Sequence, residues 1–249
     1  MDFLKVENLS KKFGAFNVLK NVLLTIPEKT IVLLMGPNGS GKTTLINCIS
    51  GVYRPDGGRI WFNGMNITGK ELHEIVKLGL GRSFQIPGPF KKLTVGENLL
   101  VCGQNQKGEN FSTSIFHRIW DKQEKELVEK LYKIIQQVDL EHQINTLAGE
   151  LSGGQLKLLE LGRLLMLDSK LMLLDEPIGG INPVLAHKIL SQIQKIRTNF
   201  GTSFLLVEHR LDIVMQYVDY VYVLAEGNIK CEGSPKEVLN RKELYEIYL

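Results

Sequence analysis

The chain of 249 residues is 43% hydrophobic and 23% charged, which excludes a disordered or fibrous class and leaves one large α/β domain, or one domain with a subdomain. The net charge of +3 is too small to argue for nucleic acid as a partner. The three cysteines, Cys48, Cys102 and Cys231, are far apart and lack metal-ligand spacing, so reduced, packed thiols in a cytosolic compartment are expected.

In chain order, Phe3 to Leu9 and Val18 to Ile26 read as short, partly alternating strands with a turn at Gly14. Thr30 to Met35 is apolar and uncharged, the pattern of a strand buried on both faces. It runs into Gly36-Pro37-Asn38-Gly39-Ser40-Gly41-Lys42-Thr43, a P-loop, and Thr44 continues into a helical segment. Gly39 and Gly41 let the backbone fold tightly, so that successive N–H groups can point at phosphate oxygens. Lys42 supplies a point charge for the β- and γ-phosphates of a nucleoside triphosphate, and the Thr43 hydroxyl a ligand for Mg²⁺. The dipole of the following helix adds to the anion site. Arg59 to Phe62, after the turn composition Pro55 to Gly58, is a further short strand.

From Thr94 to Arg163 the pattern turns helical, with Trp120, Leu127, Leu131, Ile134, Ile135 and Val138 falling mostly at helical spacing. Strand character returns at Leu171 to Leu174, Ser203 to Val207 and Val221 to Leu224, with a helix over Val184 to Thr198 that puts Leu185, Ile189, Ile193 and Ile196 on one face. Strands alternating with helices imply a parallel sheet. The expectation is an α/β P-loop core with a parallel central sheet, an N-terminal antiparallel β subdomain and an inserted helical subdomain. The boundaries expected are 1–87 with 166–249 for the core and 88–165 for the insert. Met1 to Lys5 shows no signal-peptide pattern. No apolar run reaches the ~18 residues needed to span a bilayer, so any membrane span would come from another chain.

Two further segments carry chemistry. Leu171 to Asp175 is a buried strand ending in a carboxylate, and ligands of open α/β sheets sit at such strand ends. Asp175 is therefore expected near Thr43, holding Mg²⁺ through water. Glu176 follows it and can polarise an attacking water. Leu151-Ser152-Gly153-Gly154-Gln155 precedes an amphipathic helix. Ser152 is a good N-cap, and the glycine pair leaves amide N–H groups uncovered, so Ser152, Gly153, Gly154 and Gln155 make a second anion-binding helix terminus. With one P-loop per chain, that second terminus suits the γ-phosphate of a nucleotide held by a partner chain, as in a two-fold sandwich.

The order of P-loop, Gln85, Leu151 to Gln155, Leu171 to Glu176 and His209 resembles the ATP-binding subunits of ABC transporters over essentially the whole chain. The resemblance implies ATP hydrolysis with Mg²⁺, an adenine-stacking role for Phe13, and a role for Gln85 in sensing Mg²⁺ and water and linking to a membrane subunit. It also implies a γ-phosphate contact from His209. Where the family usually has Asp in the loop after the glutamate, this chain has Asn182. Asn182-Pro183, Phe84-Gln85, Leu93 to Leu99, Glu208-His209 and Tyr248-Leu249 are similar to the ATPases of branched-chain (hydrophobic) amino acid importers. Lipopolysaccharide-export and urea-import ATPases share much of the pattern, and a soluble ABC-type ATPase, such as an iron–sulfur assembly component, is the alternative from another class. The implied partners are integral membrane permease subunits, a second ATPase subunit (the same chain or a different one) and, indirectly, a substrate-binding protein. The implied location is peripheral, on the cytoplasmic face of the cell membrane. The apolar segment Ile86 to Phe90 is expected to form part of the groove receiving a membrane subunit, with Phe90 as anchor. No residue is identified that contacts cargo, so the transported substrate is not legible here.

Overall fold

The structure, a computed structural model, describes residues 2–83, 88–104, 117–242, 244 and 247, with the side chains of 117–122 outside that description. It divides into two compact units, Met1–Gln85 with Lys170–Leu249, and Ile86–Ser169.

The first unit holds two sheets. Strands β1 (Asp2–Phe13) and β2 (Phe16–Pro27) form a long antiparallel hairpin in which Phe13 pairs with Phe16. Strands β4 (Gly57–Phe62) and β5 (Met65–Asn66) extend it in the order β2-β1-β4-β5. Gly14 turns the hairpin in the left-handed region, φ 58°, where a side chain would be strained. Both strands run several residues beyond their apolar cores, because cross-strand pairing recruits the polar ends that hydropathy alone leaves out.

The second sheet has the order β10-β9-β3-β8-β7-β6. Strands β3 (Ile31–Met35), β7 (Leu171–Asp175) and β8 (Ser203–Val207) are buried along their whole length, which is why they read as uninterrupted apolar runs. Each fully buried Val, Leu or Ile there contributes about 1.5–3 kcal/mol. All pairings are parallel except β9 (Tyr220–Ala225) with the edge strand β10 (Asn228–Gly233). The edge strands β6 (Leu80–Arg82) and β10 are absent from the sequence reading, since one is three residues long and the other is broken by Lys230 and Glu232. Helix α1 (Lys42–Ile49) buries Leu45, Ile46 and Ile49 in a core shared by both sheets, with Leu4, Leu9, Phe62, Leu34 and Leu173 among its members. A short helix, α2 (Leu72–Lys77), precedes β6.

The second unit is helical: α3 (Val95–Leu100), α4 (His117–Gln137) and α5 (Gly153–Met166). Leu131, Ile134, Ile135 and Val138 of the predicted stripe are buried, and Leu127 is half-buried; Trp120 lies outside the described side chains. A Cβ on Gly162 would meet Leu99 Cδ2 at 2.9 Å, so the glycine lets α5 close on its neighbours. The stretch is less continuous than its helical pattern suggests. Between α4 and α5 the chain makes short 3₁₀ turns and an antiparallel bridge, Thr94 to Leu147.

One fully buried polar side chain organises the entry to this unit. Asn98 Oδ1 accepts from Phe90 N at 2.9 Å, and Nδ2 donates to the carbonyls of Phe90, Leu93 and Thr94 at 3.1, 3.2 and 2.9 Å. The remaining elements of the first unit are α6 (Pro183–Phe200), α7 (Leu211–Val214) and α8 (Pro235–Leu239). Replacing Asn98 with Leu keeps the branched shape, removes the donors and the acceptor, and strands these backbone groups. The expected loss is about 2–4 kcal/mol, the scale for stranded buried polar groups, read as a lower urea midpoint; an unchanged midpoint would remove Asn98 from this role.

Candidate functional site

The site follows from strand register. Leu34 of β3 and Asp175 of β7 both pair with Val207 of β8, from opposite sides. The three chains leaving these strands therefore emerge side by side at the carboxyl edge of the sheet: the P-loop, Glu176 and His209. Together they wall a cavity of about 380 Å³ lined by Val18, Asn38 to Thr44, Asp175, Glu176, Val207 and His209.

The P-loop is clamped from behind. Gly36 has φ 150°, and a Cβ there would overlap the carbonyl oxygen of Leu224. Gly39 and Gly41 sit at φ 77° and 105°, conformations that only glycine adopts at little cost. Gly227 N donates to Ser40 O at 3.2 Å. Lys42 is 6% exposed, and its Nζ donates to the carbonyls of Gly36 and Pro37, each at 2.8 Å. Burial pushes its ammonium below the ordinary lysine value, while the Asp175 and Glu176 carboxylates pull it back up. Gly36 and Pro37 thus stand behind the cavity wall and supply acceptors for Lys42, whereas Asn38 to Thr44 face the cavity.

On the opposite wall, Asp175 is 6% exposed and its backbone N–H donates to Ser83 Oγ at 3.2 Å. Glu176 takes a left-handed backbone, φ 50°, which costs a non-glycine residue about 1–2 kcal/mol. Its N–H to Val207 O at 2.9 Å and its carbonyl, accepting from Gly179 N at 3.0 Å, hold that turn. The turn brings Glu176 Oε1 to 3.5 Å from His209 Nε2.

Phe13 lies outside the cavity wall. It is 42% exposed, edge-on to Tyr53 at 5.3 Å between ring centres, with Lys11 Nζ 5.5 Å from its ring centre. Gln85 lies outside the described residues, as do Ile86 and Pro87. Ser152 to Gln155 belong to the second unit. There Ser152 Oγ accepts from Gln155 N at 3.4 Å, and Gln155 Oε1 accepts from Ser152 N at 2.8 Å, a capping box at the start of α5. Ser152 and Gly153 are exposed, and with Oγ acting as acceptor the serine O–H is left to donate outward.

Three contributors escaped the sequence reading: Val18, which lines the cavity, Ser83, which holds Asp175, and Glu208. Only Glu208 had a visible signal, an acid directly after a buried apolar strand. Asn182 caps α6, with Oδ1 accepting from Leu185 N at 2.9 Å and Pro183 at the first helical position. The oxygen that Asn shares with Asp is thus occupied in capping.

Among the described residues, no group of three or more His, Cys, Asp or Glu side chains could hold a metal. The Thr43 hydroxyl and the Asp175 carboxylate on the wall do fit a hard cation that takes few protein oxygens and completes its shell elsewhere. No helix among the described residues is long and apolar enough to cross a membrane. Cys48, Cys102 and Cys231 are free thiols, and burial pushes Cys48 up to about 11.

Residues 19–179 match the family model described as ABC transporter. The chain is 47% identical to the "Probable branched-chain amino acid transport ATP-binding protein LivG" of Archaeoglobus fulgidus, covering 100% of this chain and 96% of that one. It is 34% identical to the high-affinity branched-chain amino acid transport ATP-binding protein BraF of Pseudomonas aeruginosa, covering 99% and 97%. A crystal structure of an ABC transporter ATP-binding cassette in its ADP conformation superimposes with a TM-score of 0.87 at 44% identity, covering 100% and 98%. The chain belongs to the ABC transporter family. It is an ATP-binding, ATP-hydrolysing transporter subunit.

The φ of Glu176 yields a check on the turn. Alanine keeps the left-handed strain that glycine relieves, so Glu176→Gly should be more stable than Glu176→Ala by about 1 kcal/mol. Denaturant unfolding of the two variants measures this, and equal midpoints would mean the turn carries no strain.

Proposed function

We propose that this chain powers import of branched-chain or related hydrophobic amino acids through separate membrane permease subunits, working as one half of an ATP-dependent dimer. The substrate reading is supported by the names of relatives 47% and 34% identical along their whole length. The observation that carries the catalytic reading is the convergence of Lys42, Thr43, Asp175, Glu176 and His209 on one cavity.

In this reading the N–H groups of Gly39 to Thr44 and the Lys42 ammonium bind the phosphates of ATP, displacing Lys42 from its own loop carbonyls. Phe13 offers its ring to adenine. Thr43, Asp175 and Gln85 hold Mg²⁺, which when bound neutralises phosphate charge. Glu176 orients and polarises the attacking water, and His209, within reach of that carboxylate, contacts the γ-phosphate. Ser152, Gly153, Gly154 and Gln155 complete the site of the second subunit, whether an identical or a different chain. The protein sits peripherally on the cytoplasmic face, and a substrate-binding protein acts through the permease.

Glu176→Gln tests this. It should lower turnover about 100-fold or more, the scale of a lost acid–base group, and leave ATP binding intact, whereas Lys42→Ala should weaken binding. With ATP the Glu176→Gln protein should also form a dimer in light scattering, since hydrolysis no longer reopens it. Wild-type turnover in Glu176→Gln would remove the residue from the role.

Docking to the permease involves the loop at Phe90. Phe90 is 51% exposed while its backbone is pinned to Asn98, and the Arg163 guanidinium lies 5.9 Å from the ring centre. An apolar side chain presented on fixed backbone suits an anchor. Phe90→Asp should spare ATP binding by the isolated subunit and abolish co-purification with the membrane partner. Normal assembly and transport by that variant would put the docking surface elsewhere.

A further inference from the structure

The segment leaving β8 grips the loop after Glu176 at successive points. Val207 O accepts from Glu176 N at 2.9 Å. Glu208 Oε1 accepts from Ile178 N at 2.7 Å, and its Oε2 from His209 N at 3.3 Å. Arg210 donates to Ile181 O at 2.8 Å. Between these ties stands the Glu176–His209 contact. Glu208 is 1% exposed, and a carboxylate is placed in such surroundings only at a cost that hydrogen bonds must offset. Those bonds go to the backbone of two chemically important stretches. One oxygen holds the loop two residues past Glu176, and the other holds the backbone of His209.

The geometry points to Glu208 as a positioning residue that locks the Glu176 turn and His209 into one rigid body, so that the two side chains keep their mutual placement through turnover. The inference rests on the reading of Glu176 as the group that polarises water. Glu176 depends on such a lock because its backbone is in the left-handed region, φ 50°, and would relax if the loop were released. Glu208 is not among the residues lining the cavity. It acts through the others, and a displacement near 1 Å is enough to cost about 100-fold in rate.

The test is a kinetic cycle on the purified full-length subunit. Glu208→Leu removes both acceptors at similar volume. Glu208→Gln keeps one acceptor oxygen and turns an amide NH₂ toward the second N–H. Expected kcat falls about 100-fold in Glu208→Leu and about 10-fold in Glu208→Gln, with ATP affinity within twofold of wild type in both, because the P-loop is built from other elements. In a Glu176→Gln background, adding Glu208→Leu should change the single-turnover rate far less than it does in wild type, since one of the two side chains whose mutual placement it fixes is already gone. If Glu208→Leu does not fold, Glu208→Gln carries the same cycle.

Wild-type kcat in the Glu208 variants, with Glu176→Gln inactive, overturns the lock while leaving the role of Glu176 intact. Full activity in Glu176→Gln would instead overturn the underlying reading. Independent, multiplying effects of the two substitutions would show that Glu208 works by another route, and parallel loss of ATP binding would make it a residue of the fold. Either result removes it as a positioning residue.

Discussion

Everything at the site depends on three parallel strands ending level with one another. Val207 has Leu34 on one side and Asp175 on the other. Because side chains alternate along a strand, a slip of one residue in either pairing would send the whole set to the wrong face. Complete burial of β3, β7 and β8 makes such a slip costly: hydrophobic burial thus fixes the position of polar residues lying just beyond the buried runs. The P-loop, Glu176 and His209 need no direct attraction to one another to be assembled.

Backbone contacts then convert that rough placement into a defined cavity. Gly36 packs on the Leu224 carbonyl, and Gly227 ties the turn between β9 and β10 to Ser40 while its own carbonyl accepts from Lys20 N at 2.8 Å. The P-loop is thereby held between the antiparallel hairpin and the far end of the parallel sheet. As the proposed anion cradle, its backbone is set before a phosphate arrives, and the Lys42 side chain leaves its loop carbonyls to meet it. Lys42, bonded to its own loop carbonyls, keeps a charge inside that cradle with its hydrogen bonds satisfied.

Three buried or half-buried charges have identifiable structural partners. Lys42 has two carbonyls and the field of Asp175 and Glu176. Arg82, whose guanidinium is pushed below its ordinary value by burial, donates to Asn47 Oδ1 and Ser50 Oγ at 2.5 and 2.9 Å. Glu208 serves backbone donors. In the second unit, neutral hydrogen-bonding groups stand beside ion pairs: Asn98 and the Ser152–Gln155 capping box on one hand, Lys130 with Asp168 at 2.7 Å on the other.

The residues on their own determined the buried strands, the P-loop, the carboxylate pair at the end of Leu171 to Asp175 and the capped helix at Ser152, because each is a local pattern with a local physical cause. The apolar runs had nowhere to go but a core, and glycines at 39 and 41 had few conformations to serve other than a tight cradle. The edge strands Leu80–Arg82 and Asn228–Gly233 were not legible, because an edge strand is stabilised by its neighbour's ladder and not by its own hydropathy. Nor was the division of labour within the P-loop, where Gly36 and Pro37 hold Lys42 while Asn38 to Thr44 face the cavity. The left-handed turn at Glu176 and the grip of Glu208 on Ile178 were decided by tertiary structure alone. Both arise from contacts across some thirty residues of chain, which exist only after β7 and β8 have paired.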